Sequence, residues 1–120
     1  MTSGTSALAV VRNYHRAWST GEMETAGRYL SDELTIEVPI NSCPTKDAFL
    51  RAVKKTREMT SSLQLLAEFG NEGDALLLYD MTLPFGVMRV AEHFTVTDGR
   101  ITRIRQIHDT AAIRAAPGLA

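Results

Sequence analysis

One cysteine, Cys43, stands in a chain of 120 residues, so no internal disulfide can staple the fold. Histidine is almost as scarce, and the three present, His15, His93 and His108, show no metal-ligand spacing. Charge of one sign is missing as well: 13 Lys and Arg face 14 Asp and Glu, for a net charge of −1. Without a basic footprint, neither nucleic acid nor an anionic membrane surface is an expected partner. No stretch approaches the ~20 apolar residues that span a bilayer, and the opening MTSGTSALAVVRNYH lacks a basic leader. These absences predict a cytoplasmic protein that acts on a neutral or apolar small molecule, without cofactor or metal.

What is present is enough chain for one domain over residues 1–120, with one core and one pocket. Ala7 to Thr20 reads as a helix with Thr5 or Ser6 as N-cap and Gly21 as its stop. Its apolar stripe is Leu8, Val11, Tyr14, Ala17 and Trp18, which turns Tyr14 inward. A short helix from Glu22 to Leu30 follows, then a turn at Ser31-Asp32-Glu33 and a strand from Leu34 to Pro39. Thr45 caps a third helix reaching Met59, with Ala48, Phe49, Ala52, Val53 and Met59 inward and Lys46, Lys54, Lys55 and Arg57 in water.

After Ser61-Ser62 the period changes from helical to two. Strands are predicted over Leu63–Phe69, Ala75–Leu83, Met88–Val96 and Ile101–His108, with Asp98-Gly99 the strongest hairpin signal. The tail, 111–120, reads as a terminal turn or a flexible end. Helices first and a bent, mainly antiparallel sheet afterwards define an α+β fold, a cone-shaped cup whose sheet is covered by three N-terminal helices. Its concave face is the natural place for a ligand.

Glu92 is the residue this plan singles out. It shares a strand face with Met88, Val90, Phe94 and Val96. A carboxylate on an apolar row must be paired, protonated or used, since an unpaired charge in a dry site is costly. Tyr14 brings a hydroxyl that needs a partner: a core hydrogen bond or a ligand. Gln106 and His108 fall on the pocket side of the last strand, opposite Ile101, Arg103 and Arg105, and His108 is a candidate base. Asp80, in LLLYDMTL, is either a pocket acid or an edge residue, because both faces of that strand are apolar. Trp18, Val38, Phe49, Met59, Phe85 and Met88 are the candidate lining, and Cys43 reads as a small hydrophobe or an incidental thiol.

Tyr14 in NYHRAWSTGE, TIEVP at Thr35 to Pro39, AEHF at Ala91 to Phe94 and DGRITRIRQIHD at the end resemble the nuclear transport factor 2-like superfamily. Within it the chain is similar to ketosteroid isomerases and SnoaL-like polyketide cyclases. The resemblance implies that Tyr14 is an oxyanion-hole tyrosine and that Glu92 is either a protonated hydrogen-bond donor or a catalytic acid, a device for which the isomerase is a known example. It also implies a homodimer through the outer sheet face. The chain departs from the isomerases at Val38, where they carry their aspartate base. It departs from the limonene-epoxide-hydrolase-like members at Gln106, where those carry an aspartate. The expected function is acid-assisted isomerisation, cyclisation or dehydration of an apolar, oxygen-bearing substrate such as a polyketide, terpenoid or steroid-like compound, with Glu92 and Tyr14 polarising an oxygen and His108 or Asp80 moving the proton. The alternative is a non-catalytic binding or interaction domain of the same fold.

Overall fold

The computed structural model describes residues 6–39 and 45–111; Cys43 and the tail from 112 onward lie outside the described residues. The order is α1 (Ala7–Ser19), α2 (Met23–Arg28), β1 (Leu30–Glu37), α3 (Lys46–Met59), β2 (Ser62–Gly70), β3 (Asp74–Leu83), β4 (Gly86–Thr97) and β5 (Arg100–His108). No helix among the described residues is long and apolar enough to cross a membrane.

Local chemistry sets the helix limits. The Ser6 hydroxyl accepts from the Ala9 amide at 3.2 Å, and the Thr45 hydroxyl from that of Ala48 at 3.1 Å, so both long helices begin on a side-chain cap. Gly21 ends α1's exit turn with φ of +86°, a conformation that costs glycine little. Asp98 and Gly99 both have positive φ, 53° and 77°, as a two-residue turn between β4 and β5 requires.

The strands form one five-stranded sheet in the order β1-β5-β4-β3-β2, antiparallel except for the parallel pair β1 and β5. Register shifts interrupt three of its ladders, between Leu30 and Thr35, between Leu65 and Ala67, and between Thr95 and Val96. Each inserts residues on one strand and bends the sheet there, which gives the cup its curvature. α1 lies inside the curve with Val10, Val11, Tyr14, Ala17 and Trp18 buried against Leu77, Tyr79, Phe94 and Ile104. Fully burying such a side chain stabilises the fold by roughly 1.5–3 kcal/mol. Tyr14 and Phe94 meet edge to face with ring centroids 5.9 Å apart.

Several sequence expectations shift. Strand β1 begins at Leu30, so Ser31-Asp32-Glu33 is strand rather than turn, and α2 stops at Arg28. Polar residues of low β propensity hide this start, which long-range bonds supply: Ile101 N donates to Tyr29 O at 2.7 Å, and Lys46 Nζ to Leu30 O at 3.0 Å. Ile101 is fully buried rather than on the arginine side, because the shift at Thr95 and Val96 flips the start of β5. Arg57 is not simply in water; its guanidinium donates to the carbonyls of Ser19 and Thr60 and ties α3 to the end of α1. Of the inward stripe expected on α3, Phe49 alone is buried, with Ala48, Val53 and Met59 half-buried and Ala52 exposed.

Candidate functional site

A cavity of about 170 Å³ opens between α1, α3 and the concave face of the sheet. Strand alternation supplies its floor and walls. Tyr79, Met81 and Leu83 project from β3, Met88, Val90 and Glu92 from β4, and Gln106 and His108 from β5. Tyr14 and Trp18 enter from α1, and Phe49, Val53, Thr56 and Met59 from α3.

Glu92 is 1 % exposed, and both its oxygens are held. The Tyr79 hydroxyl donates to Oε1 at 2.9 Å and the Gln106 amide to Oε2 at 2.7 Å. Both bonds follow from register. Gln106 faces Glu92 directly across the β4–β5 ladder, while Tyr79 faces Val90, two residues back on β4, and its long ring reaches the carboxylate diagonally. Burial pushes the Glu92 carboxyl up to about 7, against the opposing pull of the hydrogen bonds from Gln106 and Tyr79. Its two protonation states are therefore close in free energy at neutral pH.

Tyr14 lines the same cavity, and its hydroxyl has no hydrogen-bond partner among the described residues. Burial first, and then the charge of Glu92, raise the phenol's pKa well above its usual value, so it stays a neutral donor. Tyr79 is raised for the same two reasons and by its bond to Glu92. The predicted pair of Tyr14 and Glu92 thus becomes a cluster in which Tyr79 and Gln106 hold the carboxyl and Tyr14 stands unengaged.

Tyr79 escaped sequence reasoning because its strand is apolar on both faces. The alternation of buried and half-buried residues along β3 resolves it, and with it corrects Asp80. Asp80 points to the outer face, where the Arg89 guanidinium donates to both its oxygens at 2.8 and 3.0 Å and lowers its pKa. Asp80 is not a pocket acid. Glu37 is also exposed away from the cavity, and Val38 lines it. Trp18, Phe49, Met59, Phe85, Met88 and Gln106 all line the cavity, as does His108, whose Nδ1 lies 3.1 Å from the Asp109 carbonyl oxygen.

Outside the cavity, His93 sits between Asp74, at 3.1 Å from Nε2, and the Arg105 guanidinium, at 3.1 Å from Nδ1, on the outer face. His15 is the unforeseen core histidine. It is packed 5.0 Å from the rings of both Trp18 and Tyr79, and its buried Nδ1 has no partner among the described residues. Burial lowers it to about 4, with Glu68 opposing. No three His, Cys, Asp or Glu side chains among the described residues gather as a metal site would require.

A curved mixed sheet wrapped on helices is the cone fold of the nuclear transport factor 2-like proteins. The chain belongs to the SnoaL-like domain family, whose model it matches over residues 11–104. It is similar to a protein of Kribbella flavida DSM 17836, with 33 % identity, 93 % of each chain covered and a TM-score of 0.87. It shares its fold with an NTF2-like protein of Cytophaga hutchinsonii at 16 % identity, covering 92 % of this chain and 96 % of that one, with a TM-score of 0.75. It does so too with a steroid delta-isomerase of Pseudomonas aeruginosa at 10 % identity, 90 % and 86 % coverage and a TM-score of 0.74. Among curated proteins none matches the chain.

Proposed function

We propose that this protein is a cofactor-independent proton-transfer enzyme acting on an apolar carbonyl compound, and that Glu92 serves as both base and acid. The observation that supports this reading is a fully buried carboxyl, held by two donors on the floor of an apolar cavity and poised at about 7. A group near the working pH is the efficient choice for proton transfer in either direction.

In the proposed reaction the Glu92 carboxylate removes a proton from carbon next to the carbonyl. The C–H electron pair moves to the carbonyl oxygen, giving an enolate, and the Tyr14 hydroxyl donates a hydrogen bond to that developing charge. Glu92, now neutral, returns the proton to another carbon for isomerisation. For dehydration it gives the proton to a departing hydroxyl, and for cyclisation to the alkoxide formed when the enolate carbon attacks a second carbonyl. Tyr79 and Gln106 keep the carboxyl in one orientation throughout. Val38 in place of a second carboxylate is consistent with a single group performing both steps, and His108, at the end of β5, is the proposed link for exchanging protons with water. We assign the activity to the reducing cytoplasm and the outer sheet face to a second copy of the chain.

Deuterium incorporation beside the carbonyl of candidate ketones, followed by NMR in D₂O, tests this without knowledge of the natural substrate. Glu92→Gln retains the shape and is expected to lower the exchange rate by about 10²-fold or more, the usual contribution of a positioned acid or base. Exchange at an unchanged rate in the variant leaves the non-catalytic binding domain as the better account.

A further inference from the structure

We propose that the cavity selects an uncharged carbonyl compound of about one ring, seated with its oxygen at Tyr14, and rejects both four-ring and anionic molecules. The inference rests on the proton-transfer reading and narrows its substrate class.

Size is the first argument. The cavity of about 170 Å³ is smaller than the roughly 300–1,000 Å³ of pockets that enclose drug-sized ligands. Bulky side chains take up the cup: Trp18 from α1, Phe49 and Met59 from α3, Phe85 from the β3–β4 turn and Met88 from β4. Phe49 is 2 % exposed, so α3 is seated on the cup rather than held away from it. A fused four-ring skeleton exceeds that space and would have to leave part of its apolar surface in water at the mouth or displace that helix.

Charge is the second. Among the described residues the lining contains no lysine or arginine, and His108 is its one side chain able to take a positive charge. Of the cations on α3, Arg57 is committed to the carbonyls of Ser19 and Thr60 and Lys46 to Leu30 O and Asp32, while Arg51, Lys54 and Lys55 are not part of the lining. A carboxylate or phosphate brought beside Glu92 would meet a like charge where water is scarce.

Polarity is the third. Tyr79 spends its one donor on Glu92 and Gln106 one of its two, while the Tyr14 hydroxyl in the same cavity is unengaged. An unengaged hydroxyl donor suits a carbonyl oxygen, and a polyol would bury most of its hydroxyls against Met, Leu, Val and Phe side chains.

Trp18 makes the test direct, being the chain's one tryptophan and part of the lining. The full chain at pH 8 is titrated with methylcyclohexenone, with the same ring bearing a carboxylate, and with a four-ring steroid enone, reading Trp18 fluorescence. A saturable change with the neutral one-ring ketone is expected, weakened about tenfold in Tyr14→Phe, with both other probes at least tenfold weaker than the ketone. Equal or tighter binding of the steroid enone or of the carboxylate overturns the inference, and so does the absence of saturable binding by the ketone. The two readings fail separately. Glu92-dependent deuterium exchange on a four-ring ketone would remove the size limit and keep the proton transfer. Tight, selective binding of the one-ring ketone with exchange unchanged in Glu92→Gln would do the reverse.

Discussion

Ionising Glu92 inside the fold is a burden the protein carries for its site. The carboxyl stands at about 7 in the folded chain against an ordinary value of 4.5. At about 1.4 kcal/mol per pH unit, that gap makes the ionised form destabilising by about 3 kcal/mol. The folded pKa is raised, so the relative stability is fully present below about 4.5 and is lost as pH climbs through about 7. His15 works in the opposite sense. Its folded pKa is lowered to about 4 from 6.5, and its contribution is lost as pH falls through that window. Both titrations operate in the wild type, so a single curve cannot separate them, whereas the difference between wild type and Glu92→Gln cancels His15. That difference is expected to favour the variant by up to about 3 kcal/mol at pH 8 and to vanish below about pH 4.5 in urea unfolding. A variant less stable than wild type at pH 8 would show that Tyr79 and Gln106 compensate the buried charge fully. Combined with lost exchange, the expected gain would mark Glu92 as a group kept for chemistry at the expense of stability.

Elements meet where a missing side chain allows it, and Gly70 is such a place. A Cβ built there would lie 2.9 Å from Leu8 Cβ on α1 and 3.1 Å from the Asp74 carbonyl oxygen on β3. Gly70→Ala must push α1 away from the sheet, at a cost of about 1–3 kcal/mol that a shift in the urea midpoint would report. An unchanged midpoint would show that α1 docks more loosely than its contacts suggest. How legible such contacts were follows from the same geometry. The strict alternation of Met88 to Val96 placed Glu92 on the inner face, and the spacing of Tyr14 and Trp18 placed α1's inner stripe, because period alone decides both. Period says nothing where a strand is apolar on both faces, which is why Tyr79 was missed and Asp80 left open. Nor does it foresee a bulge, and the register shift in β4 and β5 is what moved Ile101 into the core. The start of β1 depends on its bonds to β5 and Lys46, which lie far along the chain and leave no local signature.

At the scale of the whole molecule, the convex face of the sheet is more apolar than a surface exposed to water ordinarily needs to be. Leu78, Ala91 and Ile107 pair across β3, β4 and β5 in one row. Ile107 is 72 % exposed, and Val87 and Phe69, at neighbouring edges, are each 65 % exposed. Part of the charge on this face is met within it: Asp80 pairs with Arg89, and His93 bridges Asp74 and the Arg105 guanidinium. These features support the proposed pairing of two copies face to face, the self-complementary contact of a two-fold dimer. Light scattering at micromolar concentration is expected to give twice the mass of one chain. Ile107→Glu places a like charge on both copies and is expected to return the mass to that of one chain, with the circular dichroism spectrum unchanged. Because Ile107 points away from the cavity, Glu92-dependent exchange in the variant should persist within a fewfold of wild type. A wild-type mass of one chain would dismiss the dimer, and a variant that remains twice that mass would move the interface away from Ile107.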